Sequence, residues 1–295
     1  MNRIGLYVNL GKTDALRRVV EAVELLLKRG AEVCVEPEVK ARMLPALAEQ
    51  VEALPLEEFG RFADVVMCFG GDGTMLACAR KLAESDLPLL GVNLGKLGFL
   101  AEFPADALET TIDDVLSGRY RIVDRAMVET TIELDERPTV LYALNEFALE
   151  KRDSSRMITI HAWVDEHYIA RYRADGLLVT TPTGSTAYAL SCGGPIVAPS
   201  APVLCIVPIC PHMLTLRPLV IGDSAEVTLM LDAESHAASL VADGQYVAPF
   251  EPGMRCTLRR SSQTARLIKR SDTTYFDVLR QKLLWSADAT IPRTR

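Results

Sequence analysis

Apolar positions in the first third of the chain follow two alternating rhythms. Arg3 to Val8 is a short apolar run of strand length. After a polar turn, Ala15, Leu16, Val19, Val20, Val23, Leu26 and Leu27 recur at helical spacing, with Thr13 or Asp14 as cap and Gly30 as terminator. Ala31 to Glu36 alternates as a strand, and a second helical segment is expected around Ala41 to Val51. Ala63 to Phe69 is a near-continuous apolar strand. A glycine-rich turn then opens a helix from about Thr74 to Glu84, and Leu89 to Val92 closes the series as a strand. Strands apolar on both faces and separated by helices predict a Rossmann-like parallel α/β domain with right-handed crossovers.

The grammar changes near Tyr120. Short alternating runs replace helical periods: Ala126 to Leu134, Thr139 to Leu149, Met157 to Val164, Tyr168 to Tyr172, Ala225 to Leu231 and Ser239 to Val247. Polar turns separate them, including Asp135-Glu136 and the hairpin signal Asp243-Gly244. This pattern predicts a C-terminal β-sandwich over residues 120–272, after an α/β domain over 1–119. Tyr275 to Trp285 is helical again, with Phe276, Leu279, Leu283 and Leu284 on one face, so the tail 273–295 is expected to return to the first domain.

Composition narrows the function classes. Of 295 residues, 32 are basic and 39 acidic, a net charge of −7, which argues against a protein that wraps nucleic acid by neutralising phosphates. No apolar run approaches the roughly 18 residues of a membrane span. The richest stretch, Pro195 to Pro211, is cut by five prolines, and Ile4 to Val8 is too short for a signal peptide. Seven cysteines, odd in number and never spaced Cys-x-x-Cys, read as buried thiols in a reducing cytoplasm. The four histidines show no metal-ligand spacing.

The sharpest chemical signal is Gly70-Gly71-Asp72-Gly73-Thr74, where an apolar strand meets a helix. Helix N-termini offer unpaired N–H groups and a positive dipole end to phosphate, and glycines let the backbone approach a ligand. The segment lacks the Gly-Lys-Ser/Thr ending of a Walker loop, and Leu76 stands where G-x-G-x-x-G needs glycine. Asp72 among these glycines repels phosphate unless it holds a cation or takes a proton from an attacking hydroxyl, both kinase roles. The plainer alternative is a tight turn with Asp72 as a helix cap.

A second constellation runs from Asp175 to Tyr188. Seven of the twelve residues 180–191 carry hydroxyls, a lining suited to ribose, adenine or pyrophosphate, or equally a serine- and threonine-rich loop capping a helix. A third is Asn145-Glu146 within an apolar strand, either turned into a cleft or facing water at a strand end. Arg156 and Arg173 offer charge for a pyrophosphate.

Together these residues resemble the NAD kinase family over most of the chain. The likeness is carried by Gly70 to Thr74, Gly91 to Leu100, Asn145-Glu146, Asp175 to Tyr188 with Gly193-Gly194-Pro195, Pro208 to His212 with Arg217-Pro218, and Asp243-Gly244-Gln245. The glycine-rich element alone is shared with diacylglycerol and sphingosine kinases; the Thr-Pro-Thr-Gly-Ser-Thr-Ala-Tyr element is more particular. The resemblance implies transfer of the ATP γ-phosphate to the 2′-hydroxyl of the adenosine ribose of NAD, giving NADP. It implies Asp72 as proton acceptor and as a possible holder of a divalent metal ion, Mg2+ above all, and Gly70, Gly71, Gly73 and Thr74 as the phosphate-binding loop. Asp72, Gly73, Asn145, Glu146, Asp175, Thr186, Ala187, Tyr188, Ala189, Leu190, Ser191 and Gln245 fall where the family holds NAD, with Arg156 and Arg173 as further contacts. It also implies a homo-oligomer, dimer or tetramer, in the cytoplasm. Val8 to Gly11 departs from the lysine- or arginine-bearing turn of many members.

Two rivals share part of this pattern. A lipid kinase would need a basic amphipathic segment for docking on a membrane, and none is evident. A non-catalytic dinucleotide-binding regulator would have no need of Asp72 among the glycines.

Overall fold

The computed structural model describes residues 2–12, 14–95, 98–134, 136–153 and 155–285. The chain falls into two compact units, residues 1–124 with 266–295, and residues 125–265. Both crossings lie inside strands, whereas the change of grammar in the sequence suggested 119/120 and 272/273. An alternating run does not reveal at which residue a strand changes core.

The first unit contains strands β1 (Arg3–Val8), β2 (Glu32–Val35), β3 (Glu52–Ala53), β4 (Val65–Gly70), β5 (Leu89–Asn93) and β6 (Phe103–Pro104). Between them lie helices α1 (Ala15–Lys28), α2 (Pro37–Lys40), α3 (Pro45–Ala48), α4 (Phe59–Phe62), α5 (Asp72–Lys81) and α6 (Leu108–Leu116). The strand order β5-β4-β1-β2-β3 is parallel throughout, with β6 beside β5. From β1 the chain builds outward in one direction through β2 and β3, then in the other through β4 and β5. The order therefore reverses between β1 and β4, and ligands of open α/β sheets gather beyond the strand ends at such a point. β4 is buried along its whole length, which explains its unbroken apolar run. Ile4, Leu6, Val19, Val23, Leu26, Met67, Phe69 and Leu90 form the core of this unit.

Local expectations failed where backbone chemistry intervened. The helix expected over 41–51 shrinks to the four residues of α3, because Pro45 has no N–H to extend a helix from residue 41 and instead starts α3; α2 ends just before the segment, at Lys40. Asp14 sits at the N-cap of α1 in a left-handed conformation, φ 61°, and its side chain caps nothing; Thr13 lies outside the described residues. Gly30 does end the segment, at φ +76°. Helix α6 escaped the sequence reading although Leu108, Ile112 and Val115 carry its buried face.

The second unit contains β7 (Arg121–Leu134), β8 (Arg137–Ala143), β9 (Glu146–Lys151), β10 (Ile158–Val164), β11 (His167–Ala174), β12 (Gly176–Thr180), β13 (Val203–Ile209), β14 (Leu219–Gly222), β15 (Val227–Leu231), β16 (Ala238–Ala242), β17 (Gln245–Phe250) and most of β18 (Arg255–Lys269). One antiparallel sheet runs β14-β13-β12-β9-β16-β17; β11-β10-β15-β18 forms the other, with β7 and β8. Their facing apolar residues, among them Phe147, Leu149, Ile160, Leu177, Val179, Leu229 and Leu258, make the sandwich core. The single run expected over 139–149 is broken at Leu144-Asn145 into β8 and β9. Asp243 (φ 48°) and Gly244 (φ 73°) form the two-residue hairpin between β16 and β17, both in the left-handed region that such a turn needs.

The last residues of β18 and helix α8 (Tyr275–Leu283) belong to the first unit. Thr274 and Asp277 form a reciprocal capping box at the start of α8. Val278 and Leu279 are buried, whereas Phe276 and Leu284, expected on the apolar face, are exposed. The tail beyond Trp285 lies outside the described residues. No described helix is long and apolar enough to cross a membrane.

Candidate active site

The glycine-rich turn sits where the topology directs a ligand, at the carboxyl end of β4 and beside the end of β1, where the Asn9 amide reaches the Phe69 carbonyl at 3.2 Å. Its glycines differ in kind. A Cβ on Gly70 would strike the Thr74 side chain, so Gly70 answers to packing. Gly71 (φ −137°) and Gly73 need no special backbone conformation, and a Cβ on either would meet nothing within 4 Å. Their bareness serves no internal contact and leaves the first turn of α5 open to a ligand.

Asp72, the first residue of α5, does not cap its own helix. Its carboxylate reaches a segment distant in sequence: Oδ2 accepts from the Phe99 amide at 2.8 Å, and Oδ1 from the Leu100 and Ala101 amides at 2.9 and 3.1 Å. A Cβ on Gly98 would collide with the same carboxylate. A carboxylate has about four acceptor positions. Among the described residues three are filled, and the open one is on Oδ2. Lys96 and Leu97, part of the Gly91–Leu100 segment, lie outside the described residues.

In the second unit, Asn145 lies in the bend before β9 and Glu146 opens that strand, 8% and 4% exposed. Three amides there, of Leu144, Asn145 and Glu146, donate to the Asp243 carboxylate at 3.2, 2.7 and 3.2 Å. The neighbouring turn is laced to the same bend. Thr180 Oγ1 donates to the Asn145 carbonyl at 3.0 Å, Thr181 Oγ1 to the Leu144 carbonyl at 2.6 Å, and the Thr181 amide to Asn145 at 2.8 Å. Gly184 allows the approach, since a Cβ there would overlap the Asn145 carbonyl.

This lacing corrects the hydroxyl-lined picture. Thr180, Thr181 and Ser185 are fully buried and serve the fold, Ser185 through bonds to Pro182 and Val197. Thr186 Oγ1 donates to the Thr183 carbonyl at 3.3 Å, whereas Thr183, Tyr188 and Ser191 are not part of this lacing. Ala189 is buried against Leu178, Cys205 and Val207, so its methyl belongs to the core.

What the bend leaves unpaired is informative. Glu146 Oε2 and Thr183 Oγ1 are buried without a hydrogen-bond partner, an unusual cost unless a ligand supplies one. Burial, then the charges of Asp243 and Glu150, push the Glu146 carboxyl up to about 8. At neutral pH it is a neutral acid that can donate as well as accept. Burial, with Glu150, Cys192, Cys210 and Asp175 nearby, pushes the Tyr188 phenol up to about 12, which keeps it a donor. Asp175 pairs with Lys151 at 2.7 Å.

Arg173 is exposed and lines a different cavity, of about 460 Å³, with Arg171, His212, Glu234 and His236. Exposed Arg156 reaches the rim of that cavity, 3.5 Å from His236. Gln245 is exposed on the hairpin after Asp243.

Comparison with known proteins decides the family. The profile of the ATP-NAD kinase N-terminal domain matches residues 4–120, and that of the ATP-NAD kinase C-terminal domain matches residues 144–270. The chain belongs to the ATP-NAD kinase family. It is therefore a phosphotransferase that phosphorylates NAD with ATP as donor. An NAD kinase of Bacteroides fragilis is 40% identical over 269 residues, 91% of this chain and 92% of its own length. One of Syntrophotalea carbinolica is 36% identical over 286 residues, 97% and 99% of the two chains. Among solved structures, an NAD kinase from Archaeoglobus fulgidus in complex with ATP matches with TM-score 0.75 and 26% identity, over 96% of this chain and 98% of that one. Yeast NADH kinase complexed with NADH shares the fold at TM-score 0.89 and 22% identity, over 99% and 90%.

Against that family background, sequence reasoning overlooked several residues. Asp243 read as half of a hairpin signal and as part of the family likeness, with no role of its own, yet it anchors Asn145 and Glu146. Thr183 was one hydroxyl among seven. The amides of Phe99, Leu100 and Ala101 carry no sequence letter at all, because every residue but proline has one.

Proposed function

We propose that Asp72 is the base that takes the proton of the NAD 2′-hydroxyl. The observation that carries this reading is a carboxylate fixed by three amides, with one acceptor position left on Oδ2, beside two glycines bare of any contact. The ribose hydroxyl donates to Oδ2 and attacks the γ-phosphorus of ATP. The new O–P bond forms as the bond to the β-bridging oxygen breaks, the electron pair leaves with ADP, and the hydroxyl proton passes to Asp72. Positioning costs nothing at that moment, since the amides already hold the carboxylate.

In the same proposal Gly70, Gly71, Gly73 and Thr74 offer the open first turn of α5 to phosphate. Asn145, Glu146, Asp175, Thr186, Ala187, Tyr188, Leu190, Ser191 and Gln245 hold the dinucleotide, with Ala189 contributing through its backbone alone. The unpartnered Glu146 Oε2 and Thr183 Oγ1 support this reading, since sugar hydroxyls complete both. Arg156 and Arg173 attract phosphate charge. A divalent cation, Mg2+ for preference, would neutralise phosphate charge when bound with ATP. Asp72 would be the side chain to hold it. The chain acts in the cytoplasm as a homo-oligomer, a reading supported by the family likeness.

The test uses purified protein with ATP, Mg2+ and NAD, with an NADP-specific dehydrogenase to detect product. Asp72→Asn is expected to bind NAD with parental affinity and to lose at least about 100-fold in kcat, the lower range for removing a general base. Near-parental turnover would remove Asp72 from its role.

A further inference from the structure

A buried cation lies behind the segment whose amides hold the Asp72 carboxylate. Strand β18 ends in Leu267-Ile268-Lys269, all buried, with Lys269 only 2% exposed. The Lys269 Nζ donates to the carbonyls of Phe99 at 3.1 Å and Leu100 at 3.3 Å, and to Glu102 Oε1 at 2.6 Å. Glu102 is itself 8% exposed. Peptide connectivity makes these contacts pointed. The Phe99 carbonyl shares its peptide group with the Leu100 amide, and the Leu100 carbonyl shares its own with the Ala101 amide. Those two amides are the pair that donate to Asp72 Oδ1.

A cation bound to a peptide oxygen draws electron density across the conjugated amide, so the N–H on the other side becomes a stronger donor. We propose that Lys269 is a positioning residue for the phosphoryl transfer. It acts on Asp72 through two peptide groups, saturating Oδ1 and leaving Oδ2 as the oxygen that receives the ribose proton. The proposal rests on the reading of Asp72 as base. Loop anchoring alone does not explain a charge here. A buried ion pair contributes little stability compared with apolar residues of similar size, and one partner without the other is costly.

The double variant Lys269→Met with Glu102→Met removes both charges together, so neither is left buried alone, and takes the Nζ donor from the Phe99 and Leu100 carbonyls. It is expected to stay folded with a modest loss of melting temperature from the two carbonyls it leaves without this donor, and its kcat to fall about 10- to 100-fold, the range for loss of a supporting partner at other preorganised sites. The KM values for NAD and ATP should stay within about twofold, since nothing that binds them is touched. Lys269→Arg, which keeps the charge, should retain much of the parental kcat. In an Asp72→Asn background the double replacement should add no further loss, because the group it acts on is gone. A folded double variant with parental kcat, a loss carried by KM, an arginine variant as slow as the double variant, or an equal further loss without the Asp72 carboxylate would each overturn the proposal. Asp72→Asn alone separates the two levels. Near-parental turnover there defeats the base assignment, whereas an inactive Asp72→Asn beside a fully active double variant defeats only the role of Lys269.

Discussion

Glu146→Gln separates a ligand-binding carboxyl from a structural one, because its energetic signature depends on pH. The folded chain holds this carboxyl protonated up to about pH 8, against an ordinary value of 4.5. Between those values the folded state binds a proton that the unfolded state releases, so stability falls as pH rises through the interval. The full interval of about 3.5 units corresponds to an upper limit of about 5 kcal/mol at 1.36 kcal/mol per unit. Glutamine keeps the size and hydrogen-bonding capacity and never ionises. Relative to Glu146→Gln, the parent should therefore lose about 3 kcal/mol of stability between pH 5.5 and 8.5. Urea unfolding at several pH values measures this, in a Trp285→Phe background where Trp163 of the second unit is the only tryptophan left. Taking the difference between the two proteins removes other titrating groups to first order. Curves that run parallel across the pH range would show that Glu146 ionises freely in the folded chain, and the burial argument for its role would fall.

Two further outcomes follow from close contacts. Gly73→Ala should leave stability unchanged or raise it by up to about 1 kcal/mol, since the methyl meets nothing, while kcat/KM falls; Gly98→Ala should cost activity by displacing the Asp72 carboxylate, and thermal unfolding with steady-state rates on both variants distinguishes the two glycines. Asp243→Ala strips an acceptor from three amides at the Asn145 bend, so unfolding should show a loss of about 2–4 kcal/mol, with a raised KM for NAD. An unchanged melting temperature would refute that.

The alternation of apolar runs carried the parallel sheet and the sandwich because burial on two faces or one leaves a direct trace in spacing. It misjudged 41–51 because apolar spacing there is helical while Pro45 vetoes the continuous hydrogen-bond ladder. It joined β8 to β9 because Leu144-Asn145 bends through main-chain bonds to Asp243, a partner about a hundred residues away. Hydroxyl density drew attention to residues 180–191 as a candidate lining. Density alone does not separate Thr180, Thr181 and Ser185, which tie the turn to the bend, from Thr183, whose Oγ1 is left open.

Asp72 and Asp243 use the same local chemistry and arrive at different roles. Each carboxylate gathers three consecutive amides from a segment far along the chain, two on one oxygen and one on the other. A short acidic side chain is suited to this, because three converging N–H groups need a compact acceptor carrying charge. What differs is the flank. Asp243 is 9% exposed and faces the bend that it holds, whereas Asp72 is half-buried between Gly71 and Gly73, which add no side chain above it. The buried carboxylate, with Ala242 packed on one side, shapes a binding bend; the half-buried one, with a bare glycine on each side, keeps an oxygen for a substrate. The glycines beside Asp72, more than the aspartate itself, mark this position as chemical, and side chains larger than hydrogen there should convert it into a second anchor with its fold intact and its turnover lost.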